Sequence, residues 1–126
     1  MRRILLAEDE EILRMLIVDT LEEEEYHVDE AADGQEALDS LADVKYDLVI
    51  IDYMMPTYSG LEVIAEIRKG GLNTDVPILM LSAKSQLTEQ ERAMAAGADY
   101  FIAKPFSPHD LLQKVREILD DENIIQ

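Results

Sequence analysis

Four short apolar runs each hand the chain on to residues that can do chemistry. Ile4 to Ala7 is followed by Glu8 and Asp9, Leu48 to Ile51 by Asp52, Ile78 to Leu81 by Ser82 and Ala83, and Tyr100 to Ala103 by Lys104 and Pro105. If these runs end at one rim, three carboxylates, a hydroxyl and an amine share a site. Carboxylates crowded together repel and are driven toward protonation unless a divalent cation holds them. The chain has no cysteine, and neither His27 nor His109 follows such a run, so the ligands are oxygens and the implied cation is Mg2+. A carboxylate in that setting can attack phosphorus and become an aspartyl-phosphate. The cation and Lys104 would neutralise the transferring group, and the Ser82 hydroxyl would donate to one of its oxygens.

The runs lack polar alternation, as strands buried on both faces do, and Val28 to Ala31 reads as a fifth strand. Helical periods lie between them. Leu13, Leu16, Ile17, Thr20 and Leu21 form one face, Gln35 to Leu41 a short second helix, and Leu61, Val63, Ile64, Ala65, Ile67 and Arg68 a third. Leu87 to Ala96 is alanine-rich with Leu87 and Met94 as its large anchors, and Leu111, Leu112, Val115, Ile118 and Leu119 mark the last helix. Asp33-Gly34, Ser59-Gly60, Gly70-Gly71 and Gly97 punctuate the elements. The alternation predicts an α/β fold: a single doubly wound (βα)5 domain, a five-stranded parallel sheet with helices on both faces. Sites in such sheets lie beyond the carboxyl ends of the strands, where the chemically able residues fall.

Composition narrows the function classes. Among 126 residues, 28 Asp and Glu oppose 11 Lys and Arg, a net charge of −17, so neither direct nucleic-acid binding nor a membrane surface is expected as a partner of this domain. Hydrophobic residues make up 48%, enough for one core and too many for charge-driven disorder. The apolar run after Met1-Arg2-Arg3 stops at Glu8, which is too short for an export signal, and the expected location is cytoplasmic. Residues 1–119 are expected to form the domain, and residues 120–126 a tail or linker stub.

The fragments ILLAEDE (Ile4 to Glu10), DYMMPTYSG (Asp52 to Gly60), LSA (Leu81 to Ala83), GAD (Gly97 to Asp99) and AKPF (Ala103 to Phe106), in this order and spacing, resemble the receiver domain of two-component response regulators. The resemblance covers essentially the whole chain. It implies strand order 2-1-3-4-5, Asp52 as phosphoryl acceptor, and Mg2+ held by Glu8, Asp9, Asp52 and the backbone carbonyl of Met54. It further implies Ser82 and Lys104 as phosphoryl-binding residues and Pro105 as a cis-proline. The implied partners are a sensor histidine kinase or histidine phosphotransfer protein upstream and an effector or output domain downstream, with a phosphorylation-dependent dimer as one assembly. Self-phosphorylation and self-dephosphorylation are then the only reactions, so the chain is not expected to be an enzyme acting on an external substrate.

One position departs from the family pattern. Three residues before the lysine the family often has a tyrosine switch, whereas here Phe101 takes that place and Tyr100 precedes it, on the opposite strand face. Phe101 is therefore expected to be the switch ring, moving with Ser82 and changing the surface made by the last two helices and the fifth strand. Met54 and Lys84 flank the acceptor and the hydroxyl, and are expected to set how long the phosphoryl group survives. The alternative function is a Mg2+-dependent aspartate-nucleophile phosphatase. Such enzymes usually carry a second aspartate two residues after the nucleophile, and here that residue is Met54.

Overall fold

The computed structural model describes residues 1–83 and 87–125, with side chains described as far as Asp120. Its elements are β1 (Arg3–Ala7), α1 (Glu11–Glu22), β2 (His27–Ala31), α2 (Gly34–Asp43), β3 (Leu48–Asp52), α3 (Gly60–Lys69), β4 (Ile78–Ala83), α4 (Leu87–Ala96), β5 (Tyr100–Lys104) and α5 (Pro108–Ile125). All strand pairs are parallel and the sheet order is β2-β1-β3-β4-β5, as expected. Every residue of β3 is buried, which is why this strand reads as an unbroken apolar run closed by a carboxylate.

Alternate residues of the strands feed two separate apolar layers. Leu5, Val49, Ile51 and Met80 pack against Ala37 of α2, Val63, Ile64 and Ile67 of α3, and Ala93 of α4. On the other face, Ile4, Leu6, Ile50, Leu79 and Leu81 meet Ile17 and Leu21 of α1 and Leu111, Val115 and Leu119 of α5. The helix starts are specified locally. Asp33 Oδ1 accepts from the Glu36 amide at 2.8 Å, Ser59 and Glu62 form a reciprocal capping box, and Ser107 Oγ accepts from the Asp110 amide at 3.1 Å. At the opposite end of the sheet the Arg68 guanidinium ties α3 to the strand connections. It donates to the Thr74, Val76 and Gly97 carbonyls and pairs with Asp99, whose carboxylate accepts from the Ile78 amide.

The structure corrects several details. Leu16, Leu87 and Met94 are not core anchors; they are 46%, 66% and 45% exposed. A 3.6-residue period leaves a flank of the stripe outside the contact, and α4 docks through the small Ala93 instead. Helix α5 continues through Leu119 to Ile125, with no glycine or proline after residue 119 to stop it. Its position is fixed near residue 119 by the Arg2 guanidinium, which donates to the Leu119 carbonyl at 2.9 Å, and by the Tyr26 hydroxyl, which donates to Asp120 at 2.8 Å. No helix among the described residues is long and apolar enough to cross a membrane.

Candidate functional site

Strand register builds the site. Ala7 lies opposite Ile51, so the next residues, Glu8 and Asp52, stand side by side at the rim. Asp52 lies opposite Leu81, one residue before Ser82, and Ala83 lies opposite Lys104. Asp52, Ser82, Ala83 and Lys104 are thus the closing residues of strands rather than loop residues, and the sheet's hydrogen bonds hold their backbones. Strand parity then sorts the side chains: Glu8, Asp52 and Lys104 project toward the α1 and α5 layer. Ser82 and Phe101 share the α3 and α4 face, since Phe101 lies opposite Met80 and Ser82 opposite Ala103.

One cation is surrounded by acids. Lys104 Nζ lies 2.9 Å from Glu8 Oε1, 3.3 Å from Asp52 Oδ1 and 3.7 Å from Glu10 Oε2. Glu8 is fully buried; its Oε2 accepts from the Glu10 amide at 3.0 Å, while Oε1 has only the ionic contact, with no aligned hydrogen bond among the described residues. Burial, reinforced by the neighbouring Glu8 charge and only partly offset by Lys104, pushes the Asp52 carboxyl up to about 7. Burial works against the Lys104 ammonium, but the Glu8 and Asp52 carboxylates outweigh it and hold the lysine above its ordinary range. One oxygen from each of Glu8, Asp9 and Asp52 lies within 4.8 Å of the others. Among the described residues, three carboxylates against one ammonium leave the rim short of positive charge, and an all-oxygen set of this kind fits Mg2+. Ser82 Oγ, 1% exposed, has no hydrogen-bond partner among the described residues, although a buried hydroxyl normally finds one.

The loop after β3 shows why the sequence needs Gly60. A Cβ there would sit 2.4 Å from the Asp52 carbonyl oxygen, so a side chain at position 60 would displace the end of β3. The Gly60 amide donates to the Tyr53 carbonyl at 2.9 Å, closing the loop onto the strand. Thr57 has φ of 66°, strained for a β-branched residue, and its Oγ1 accepts from the Gln35 amide at the start of α2. An open groove of about 880 Å³ runs over the rim, with Asp9, Asp52, Met54 and Lys104 in its wall beside Ile12 and Leu16.

The structure therefore brings together Glu8, Asp9, Asp52 and Lys104, with Ser82 buried beside them and the 67% exposed Met54 in the groove wall. The Lys104–Pro105 bond is cis, as the resemblance implied. Phe101, 38% exposed, lies on the face opposite Tyr100, over whose ring Lys114 Nζ sits at 5.7 Å. Lys84 lies outside the described residues. His27 pairs with Asp29 on the exposed β2 edge, away from the rim. Two residues, Arg14 and Glu89, escaped the sequence reading, whereas Glu10 was expected to add to the negative field of the site. Glu10 joins the acids around Lys104, and Arg14 clamps the acidic turn by donating to the Glu8 carbonyl at 2.7 Å while pairing with Glu30. Glu89 reaches from α4 to accept from the Ala83 amide at 3.4 Å. Arg14 lies one turn into the helix after the acidic pair, a spacing that hints at it; nothing in the sequence points to Glu89.

The parallel sheet of this order, with an acidic rim and a lysine facing it, is the arrangement that the resemblance to a receiver domain implied. Residues 4–116 match the sequence pattern of the response regulator receiver domain, and the chain belongs to that family. It is 38% identical to the transcriptional regulatory protein ResD of Bacillus subtilis over 93% of this chain and 48% of ResD. The chain spans about half the length of the curated relatives it matches. Among solved structures it resembles the response regulator TrrA of Thermotoga maritima in complex with Mg2+ and BeF, with 41% identity, a TM-score of 0.82, and coverage of 94% of this chain and 100% of that one. It also resembles the receiver domain of the sensor histidine kinase PA1611 of Pseudomonas aeruginosa, which holds a magnesium ion in its active-site cleft. Identity there is 29%, the TM-score 0.86, and coverage 94% of this chain and 98% of that one. Receiver domains are signalling modules that work with histidine kinases and output domains.

Proposed function

We propose that Asp52 is the phosphoryl acceptor of this receiver domain. The observation that carries the reading is the pairing of a buried carboxylate, raised by burial, with a Lys104 ammonium at 3.3 Å and an unpartnered Ser82 hydroxyl on the adjoining strand. Glu8, Asp9, Asp52 and the Met54 carbonyl would hold Mg2+, and the ion would supply positive charge against the phosphoryl oxygens. The ionised Asp52 carboxylate attacks the phosphorus of a phosphohistidine in a kinase or phosphotransfer protein, and the P–N bond breaks as the P–O bond forms. The donor imidazole leaves with the electron pair and takes a proton from solvent. Lys104 lies close enough to pair with an oxygen of the transferred group. Exposed Ile12 and Leu16, beside Asp52 in the groove, give a phosphodonor protein an apolar approach.

The new group changes which contacts are worth making. Ser82 Oγ has no hydrogen-bond partner among the described residues, so turning toward a phosphoryl oxygen gives up no hydrogen bond to them. Phe101 shares its face, half-exposed, and inward movement of that ring is the packing response that remodels the α4-β5-α5 surface toward an effector, an output domain or a second copy. Met54 and Lys84 act on the lifetime of the group, Met54 by shielding it from water and Lys84 by adding a cation. A phosphatase reading is not favoured, since Met54 offers no acid at the second position. Incubation with Mg2+ and acetyl phosphate, read by intact mass, is expected to show one added phosphoryl that Asp52→Asn abolishes. Steady phosphate release with no adduct in the wild type would overturn the assignment.

A further inference from the structure

Glu89 stands in the first turn of α4, half-buried, in the wall of the same groove as Asp52 and Lys104. Its Oε1 accepts from the backbone amide of Ala83, the residue that follows the unpartnered Ser82 and closes β4. Resting on the reading of Asp52 as acceptor, we infer that Glu89 is a built-in competitor of the phosphoryl group. Before transfer its carboxylate occupies the Ala83 N–H; after transfer the phosphoryl group takes that donor and expels it. A phosphoryl group drawn toward Ser82 comes within reach of the next amide along the strand. One N–H serves two anionic acceptors poorly, and the two anions repel each other. At 3.4 Å the existing bond is long, so it is given up readily.

The consequence reaches α4. Only Ala93 of this helix is buried, while Leu87 and Met94 face outward, so the element carrying Glu89 is lightly anchored. Expulsion of Glu89 therefore displaces the start of α4 at small cost, adding a push from the acceptor side to the packing change at Ser82 and Phe101. Glu89 acts as a positioning residue: it sets the resting state of the amide and the helix, and contributes no group to the transfer itself.

The test uses the full chain with Mg2+ and acetyl phosphate, which needs no protein partner. Removing the like charge that competes for the Ala83 N–H should raise the rate of adduct formation roughly threefold to tenfold in Glu89→Gln. Glu91→Gln, which removes the same charge from an exposed neighbouring position on the helix, should change it less. In Glu89→Ala the Ala83 amide proton resonance should move upfield in the resting protein, as an N–H that loses a carboxylate acceptor does, whereas Mg2+ and beryllofluoride should move it downfield in both proteins by supplying a nearer anionic acceptor. Equal rates in Glu89→Gln and wild type, equal acceleration by Glu91→Gln, or an Ala83 amide indifferent to Glu89→Ala would each overturn the inference. The assignment of Asp52 fails separately, if no adduct sensitive to Asp52→Asn forms in any of these proteins.

Discussion

Asp52→Asn should make the metal-free protein more stable, and increasingly so as pH rises. Burial first, and the Glu8 charge second, move this carboxyl from 3.8 to about 7. Below the lower value both folded and unfolded chains hold the proton and the group contributes nothing. Between the two, the folded chain keeps a proton that the unfolded chain has lost, so wild-type stability falls by about 1.36 kcal/mol per pH unit. Above the upper value the loss is complete, at roughly 4 kcal/mol, a ceiling that local relaxation and water entry reduce to about 2–4 kcal/mol. Asparagine resembles the neutral acid and escapes the loss. Urea unfolding in EDTA, compared between about pH 5 and pH 8, should therefore show the advantage of Asp52→Asn widening by about 2 kcal/mol or more. Parallel pH profiles would refute the reasoning, because they would mean that Asp52 titrates alike in the folded and unfolded chains. Excess Mg2+ at pH 8 should narrow the gap by stabilising the ionised wild type alone.

Mg2+ at ten times its Kd should add about 1.4 kcal/mol, seen as a rise in Tm beyond that produced by sodium chloride of equal ionic strength; equal shifts would mean that Glu8, Asp9 and Asp52 hold no ion. Gly60→Ala, forcing a Cβ to 2.4 Å from the Asp52 carbonyl, should cost roughly 1–3 kcal/mol in thermal melts and weaken Mg2+ binding by calorimetry. Thr57→Asn should stabilise by about 0.5–1 kcal/mol, because asparagine tolerates φ of 66° and keeps an oxygen for the Gln35 amide. Tyr46→Phe should cost about 1.5–3 kcal/mol, since the Tyr46 hydroxyl donates to the Asp29 carboxylate at 2.7 Å. Burial raises Asp29, but hydrogen bonds from Tyr46 and His27 and the Arg3 charge hold it below 3.8. Its stabilisation is thus present above the unfolded value and lost as pH falls through the folded one, and the cost of Tyr46→Phe should shrink in the same acid range.

Four of the five strands were legible because they are apolar runs, and the helices because they carry a period; β2, an edge strand with Asp29 and Glu30 inside it, gives a weaker signal, and the acidic rim was legible because it lies within a residue or two of the apolar runs. Parallel pairing does the rest: once Ala7 is opposite Ile51, Glu8 must stand beside Asp52. What escaped comes from side chains that reach the rim from other elements. Arg14 extends back from α1 to the Glu8 carbonyl, and Glu89 reaches across from α4 to the Ala83 amide. Both contacts depend on helix placement, which a one-dimensional period does not determine. Period also misjudged Leu16, Leu87 and Met94, since it marks a stripe without saying how wide the contact beneath it is. The glycine at position 60 was legible as part of a pattern, whereas its reason, the Asp52 carbonyl beneath it, is a matter of packing.

Away from the rim, buried polar groups are answered. Asn73 donates to the Leu41 and Val44 carbonyls and accepts from the Tyr46 amide, and the Arg68 guanidinium is shared among three carbonyls and Asp99. At the rim the pattern reverses within one sheet edge. Among the described residues, Glu8 and Asp52 are buried with a single lysine between them, Ser82 lacks a partner, and Thr57 is strained in the adjoining loop. Unanswered buried polar groups concentrated at one sheet edge identify where selection has favoured something other than stability. The deficits are also complementary in kind. The acids carry more negative charge than Lys104 offsets, the Ser82 hydroxyl has no partner among the described residues, and Asp52 is costly as a bare anion. Mg2+ and a phosphoryl group together answer all three, so each should bind more tightly in the presence of the other. Titration of beryllofluoride with and without Mg2+ tests that coupling directly, and independence of the two ligands would show that the deficits are unrelated.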